Sequence, residues 1–292
     1  MHHSAIVGIM KGIIALDIDG TLTTKDHEVA PEVVEYLELL QIQEWVFIFI
    51  SGRPYQWAAA TLRAMTFPYF FAAYNGAYIV SMPDSRVLEQ HLVNRSVLEE
   101  LWQIAGEFST GFVVYGALEQ REPIYFTASK FDEKTLAFFD RRAQVTEEEW
   151  IPVESIHEIP HDKFTSVKFF VSEERAEALA EAIEQRARLY VPIINDPVDS
   201  SYCVLQATNP SANKGDALEN FSNICGWSGV RIAAGDDLND FPMFQKAQIT
   251  VAMQDSPLLL RQLATVIAPA VEDLGLISGL KAAIAKHERK GR

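Results

Sequence analysis

Asp17 and Asp19, followed at once by Gly20 and Thr21, are the residues of this chain best suited to chemistry. They close a short run rich in β-branched residues, 13–16, that reads as a buried strand, so both acids stand at a strand tip. In an open α/β sheet the carboxyl ends of the strands face the ligand crevice, where such acids reach a substrate rather than a core. A solvated turn is the plain alternative, because Asp, Gly and Thr are ordinary turn residues. A calcium loop is another, with Asp17, Asp19 and Glu28 at its first, third and twelfth positions. That loop needs Gly where Leu22 stands and a helix where this chain has a strand.

Three more apolar runs end in polar groups. Residues 46–50 lead into Ser51-Gly52-Arg53, residues 69–74 into Asn75-Gly76, and residues 230–234 into Gly235-Asp236-Asp237-Leu238-Asn239-Asp240. As parallel neighbours, these strands would gather all of their terminal groups at one sheet edge. Acids so close repel and take up protons unless a cation balances them, and oxygen donors of this kind favour Mg²⁺. A carboxylate such as Asp17 can attack phosphorus, splitting a hard hydrolysis into two easier steps. Asp19 is placed to protonate the leaving alcohol and then to deprotonate water. Charge on the transferred oxygens could be met by Lys214, Ser51 and backbone N–H groups around Ile18 and Gly52.

The elements that must position these groups alternate strand and helix at both ends of the chain, which predicts a parallel sheet. Helices are expected over 29–40 and 55–65, then from Asn213-Lys214-Gly215 through Phe221, and again beyond each later strand. Asn75-Gly76 reads as a hairpin turn and breaks the alternation. Residues 83–206 differ, with Pro83-Asp84-Ser85 as a linker and strands at 112–115, 124–127, 167–171, 189–194 and 202–206. Ser96 and Glu99 match a capping box, and Ser172 a helix cap. The expected organisation is a Rossmann-like α/β core from residues 1–82 and 207–292, with an inserted α+β domain of mostly antiparallel strands over 83–206.

The 292 residues, 48% of them hydrophobic, suffice for a large core. A formal charge of −15, from 25 Lys and Arg against 40 Asp and Glu, argues against nucleic acid or anionic lipid as partner. Two cysteines, Cys203 and Cys225, make no disulfide framework, and no membrane span or secretory leader is visible, so a reducing cytoplasm is expected. His2 and His3 read as a frayed end and residues 287–292 as a solvated tail. Oligomeric state is left open.

Asp17-Ile18-Asp19-Gly20-Thr21, Ser51-Gly52-Arg53, Lys214-Gly215 and the acidic loop at 235–240 resemble, in order, the four motifs of the haloacid dehalogenase superfamily. Asn75-Gly76-Ala77 and Val251-Ala252-Met253 are similar to its Cof-like phosphatase branch, which carries an α/β cap between the second and third motifs. The branch commonly has Glu where Tyr74 stands and Gly-Asn-Ala in place of Gln254-Asp255-Ser256. The resemblance implies Asp17 as nucleophile and Mg²⁺ ligand, and Asp19 as general acid/base that binds the metal through its carbonyl. Ser51 and Lys214 would then hold the phosphoryl group, Asp236 would ligate Mg²⁺, and Asn239 and Asp240 would support that site. Gly52, Arg53 and Asn75 are candidates for substrate contact, and Thr21 for shaping the loop. The implied activity is a Mg²⁺-dependent phosphatase acting on a small phosphorylated metabolite. A phosphotransferase or phosphomutase with the same intermediate is the runner-up, and a noncatalytic binding protein the opposing class.

Overall fold

A computed structural model describes residues 10–24, 26–146, 148–196, 198–199 and 201–290. His2 and His3 lie outside the described residues. From the N-terminal side the chain forms β1 (Gly12–Leu16), α1 (Pro31–Ile42), β2 (Trp45–Ile50), α2 (Tyr55–Thr61), β3 (Tyr69–Ala73), β4 (Tyr78–Met82) and β5 (Arg86–Gln90). There follow β6 (Val93–Asn94), α3 (Leu98–Glu107), β7 (Val113–Gly116), β8 (Ile124–Phe126), α4 (Glu133–Thr146) and β9 (Trp150–Pro152). Next come β10 (Lys163–Val171), α5 (Glu173–Ala187), β11 (Ile193–Asn195), β12 (Cys203–Ala207), α6 (Lys214–Ile224) and β13 (Arg231–Gly235). α7 (Phe241–Lys246), β14 (Ile249–Met253), α8 (Leu258–Leu263), β15 (Val266–Ala268) and α9 (Gly275–Lys290) complete it.

Two compact units result. One joins the chain up to Gln90 with the stretch from Asn213, and the other is His91–Ala212. The first is built on a sheet ordered β15-β14-β13-β1-β2-β3-β4-β5, parallel from β15 to β3 and antiparallel beyond. β1 and β2 are apolar at nearly every position because both of their faces are covered, as in parallel sheets generally. Ile13, Ala15, Ile48 and Ile50 pack with Leu218 and Phe221 of α6 on one face. Successive strands run outward from β1 through β2 to β3, and in the opposite direction from β13 through β14 to β15. The order therefore reverses between β1 and β13, where a crevice opens at the carboxyl ends.

The units divide at residues 90/91 and 212/213, beyond the expected 82/83 and 206/207. Backbone pairing causes the first shift: β5, whose side chains are partly or fully exposed, adds to β4 with Ser81 opposite Arg86. Pro83-Asp84-Ser85 is thus a hairpin turn, closed by Ser81 Oγ donating to Asp84 Oδ1 at 2.8 Å. The second shift arises because Thr208 still bridges Tyr190 and donates its hydroxyl to the Ala212 carbonyl at 3.1 Å.

Several local expectations differ from the structure. α2 gives way at Leu62 to a 3-10 turn, and α3 starts at Leu98 behind another, so Ser96 caps nothing. Ser172 occupies the N-cap of α5 without a side-chain hydrogen bond. Of residues 189–194 only the end joins a strand, and residues 287–290 continue α9.

The second unit is a sheet ordered β11-β12-β10-β7-β8-β9, antiparallel except where β9 joins β8, with β6 pairing β10. α3 and α5 pack their apolar stripes on it through Leu101, Ile104, Leu179 and Ile183. α4 adds Phe138 and Phe139 to an aromatic group with Phe126, Trp150 and Phe170. On the same helix, buried Arg142 pairs with buried Asp196.

Candidate active site

Both key acids of the first unit leave adjacent parallel strands. Leu16 lies opposite Ala234 in the β1–β13 ladder, and the Asp17 N–H donates to the Ala234 carbonyl at 3.0 Å, which carries the pairing one residue past the strand. Asp236 follows Gly235 on the neighbouring strand. Asp17 and Asp236 thus emerge side by side although 219 positions separate them (236 − 17).

Lys214 enters at the first turn of α6. Asn213 caps that helix, its side chain accepting the Asp216 N–H at 2.9 Å, which fixes where the helix begins and hence where Lys214 points. The Lys214 ammonium donates to Asp17 Oδ1 at 2.5 Å and to Asp240 Oδ1 at 2.6 Å, with its side chain only 2% exposed. Asp240 Oδ2 accepts the N–H groups of Asp236 and Asp237 at 2.9 and 3.1 Å, so both of its oxygens are engaged. Asp237, the loop's other acid, spends Oδ1 on the Leu238 N–H at 2.7 Å as a local cap. Thr21 donates its hydroxyl to Asp236 Oδ1 at 3.2 Å. Gly20 has φ +74°, and a Cβ there would lie 2.2 Å from Asp236 Oδ2, so the close approach requires glycine.

Ligand atoms of Asp17, Asp236 and Asp240 lie within 4.8 Å of one another. Burial pushes the Asp17 carboxyl up to about 7 against the pull of Lys214, with Asp240 and Asp19 repelling it further. Burial likewise pushes Asp236 up to about 10, and the charges of Asp17 and Asp240 act in the same direction. Lys214 is held above its usual range because these two carboxylates outweigh the cost of burying its charge. One lysine therefore does not balance the cluster. The donor set suits a hard divalent cation such as Mg²⁺; Asp240 gives one oxygen to Lys214 and the other to two backbone N–H groups, so Asp17 and Asp236 are the side chains better placed to face it. Asn239, two residues beyond Asp237 in chain order, has a buried Oδ1 without a hydrogen-bond partner.

Ser51 follows β2 and is 1% exposed, its Oγ accepting the Arg53 N–H at 3.1 Å. Gly52 lies between them, partly exposed. Asn75 stands at the β3–β4 turn with φ +59°, donating its N–H to the Ser51 carbonyl at 2.8 Å. Its side-chain amide is 1% exposed, and neither polar atom has a partner. Buried amides are ordinarily satisfied, so Asn75 offers two hydrogen bonds beside Ser51.

Asp19 is 45% exposed at its side chain and turns to Arg53 and His27. Arg53 donates from Nε to Asp19 Oδ2 at 2.8 Å and from Nη2 to Asp19 Oδ1. Burial alone would raise the Asp19 carboxyl; hydrogen bonds from His27 and Arg53 overcome this and hold it down to about 2. Arg53 also donates to the Thr61 hydroxyl at 2.7 Å and lies over Trp57, 4.4 Å from the ring centroid. Sequence reasoning missed His27, Trp57 and Thr61. Arg53, Trp57 and Thr61 recur every fourth residue, a signal for one helix face; nothing marked His27, which arrives from the loop after β1.

Residues 14–280 match the family model of the haloacid dehalogenase-like hydrolases. A curated relative, the 5-amino-6-(5-phospho-D-ribitylamino)uracil phosphatase YitU of Bacillus subtilis, is 24% identical over 92% of this chain and 96% of its own. Among solved structures, a haloacid dehalogenase-like hydrolase from Bacteroides thetaiotaomicron superposes with a TM-score of 0.74 at 18% identity, covering 93% of this chain and 98% of that one. The subclass IIB sugar phosphatase BT4131 does so with a TM-score of 0.72 at 16% identity, over 93% and 98%. The chain belongs to the haloacid dehalogenase-like hydrolase family. Among the described residues, no helix is long and apolar enough to cross a membrane.

Proposed function

We propose that this chain is a Mg²⁺-dependent phosphatase that hydrolyses a small phosphomonoester through an aspartyl-phosphate on Asp17. The observation that carries the reading is the bridge from Lys214 to both Asp17 and Asp240, with Asp236 beside them at the strand tips. Bound by Asp17, Asp236 and the Asp19 carbonyl, the metal ion would supply positive charge opposite the transferred oxygens.

An Asp17 carboxylate oxygen attacks phosphorus, the P–O bond to the alcohol breaks, and Asp19, which must first take up a proton from solvent against the pull of Arg53 and His27, delivers that proton to the alcohol oxygen. Lys214 and Ser51 steady the phosphoryl oxygens, and Asn75 reaches the same region with its unpaired amide. The Asp19 carboxylate then takes a proton from water, whose oxygen attacks phosphorus; inorganic phosphate leaves and Asp17 is restored. Asp240 holds Lys214 and the backbone of the Asp236 loop in place. The unit His91–Ala212 is the cap in this reading, supplying substrate selectivity.

The test is a panel of sugar phosphates, nucleotides, p-nitrophenyl phosphate and the ribitylaminouracil phosphate named for the B. subtilis relative, assayed with Mg²⁺ and with EDTA. Activity should require the metal and vanish in Asp17→Asn while the circular dichroism spectrum is kept. Full turnover in that variant would refute the nucleophile assignment.

A further inference from the structure

The Arg53 guanidinium is 4% exposed, and the chain itself occupies every one of its nitrogens. Nε and Nη2 form a fork on the two oxygens of Asp19, Nη1 holds Thr61, and Nη2 also lies 2.8 Å from His27 Nδ1. Its face rests on Trp57, and the His27 ring meets Trp57 edge-on, with centroids 5.6 Å apart at 74°. Residues from α2 and from the loop after β1 thus close around a single carboxylate. An arginine so engaged turns its guanidinium chiefly to Asp19 and to the elements around it.

We propose that Arg53, seated on Trp57 and flanked by His27, is a positioning residue that aims the Asp19 carboxyl group. This rests on the phosphatase reading above for what Asp19 does, and on the contacts alone for where it is held. The physical need is plain. The Asp19 side chain is 45% exposed and would otherwise sample several rotamers. A proton donor must sit within hydrogen-bond reach of the leaving oxygen, and a misplacement of about 1 Å can cost about 10²-fold in rate. A bidentate guanidinium fixes both oxygens of a carboxylate, which a lysine ammonium cannot do. Trp57 restricts the guanidinium through its ring face.

The experiment compares Arg53→Lys, Trp57→Leu and Asp19→Asn on two substrates, following the first step by rapid quench. p-Nitrophenolate leaves without a proton, whereas a sugar alkoxide needs one from Asp19. In Arg53→Lys we expect a burst from p-nitrophenyl phosphate at a rate within roughly threefold of the unaltered protein, while the first step on a sugar phosphate slows about 10²-fold. Slow turnover should follow the burst, because the same carboxylate must accept the proton of water. Trp57→Leu should follow the same pattern at about tenfold. Burst amplitude counts folded sites, so a partly unfolded variant still yields the ratio of the two rates.

Equal slowing of both substrates with a raised KM would assign Arg53 to substrate binding and overturn the inference. So would unchanged rates on the sugar phosphate. No release of phosphate from either substrate by the unaltered protein would instead count against the phosphatase reading. In that event crystals of Trp57→Leu decide the positioning alone: a displaced Asp19 carboxylate upholds it, and an unmoved one overturns it.

Discussion

Replacing Lys214 by Met would remove the cation bonded to both Asp17 and Asp240 while keeping most of the side-chain volume. Lys214, Asp17 and Asp240 have side chains 2%, 7% and 0% exposed, so water can replace little of what is lost. Removing one partner of a buried ion pair costs about 3–5 kcal/mol. At roughly 2–4 °C per kcal/mol for a domain of this size, the transition of the unit bearing the site should fall by about 6–20 °C in EDTA. Magnesium should restore much of this by supplying the missing charge, so its stabilising shift should be larger in the variant than in the unaltered protein. The gap in EDTA should widen as pH rises. Without Lys214 the carboxylates bind protons more tightly folded than unfolded, and stability held by such groups is lost as they ionise. Thermal melts followed by circular dichroism, with and without Mg²⁺ at two pH values, measure all of this. Equal melting of the two proteins in EDTA, or an identical magnesium shift, would refute the electrostatic account.

Asp236, pushed up to about 10, holds more protons folded than unfolded above its ordinary value of 3.8. The metal-free protein should therefore lose stability as pH rises from about 4 toward 10. Asp236→Asn should flatten that dependence in EDTA melts and abolish the magnesium shift. Gly20→Ala places a methyl on the Asp236 carboxylate at a backbone angle that favours glycine; calorimetric titration should show Mg²⁺ affinity falling at least about tenfold.

The strand tips were legible because a parallel sheet buried on both faces writes its strands as apolar runs, and a polar residue at the end of each marks where the chevron of loops begins. Asp17, Ser51, Asn75 and Asp236 all announce themselves in this way. Their partners did not. Asp240, expected to support the metal site, turns its oxygens to Lys214 and two backbone N–H groups. Arg53 reads as a substrate contact, yet it is spent on Asp19. α4 was passed over because its burial contradicts its hydrophobic pattern: Arg142 is 2% exposed while Val145 is 64% exposed. What inverts the pattern is Asp196, 54 positions away, and no spacing rule reaches that far. β5 escaped notice because it is held by backbone pairing and shows no buried face of its own.

The position of β1 between β2 and β13 has a consequence for synthesis. A ribosome delivers Asp17 early, but the strand that completes its neighbourhood emerges only after the whole of His91–Ala212 has been made. The inserted unit, contiguous in sequence, can reach its native packing first. Until β13 arrives, β1 presents an apolar, unpaired edge, the kind of surface that invites association with other chains. Nascent chains of this protein are thus most vulnerable to aggregation during the interval between the two halves of the sheet.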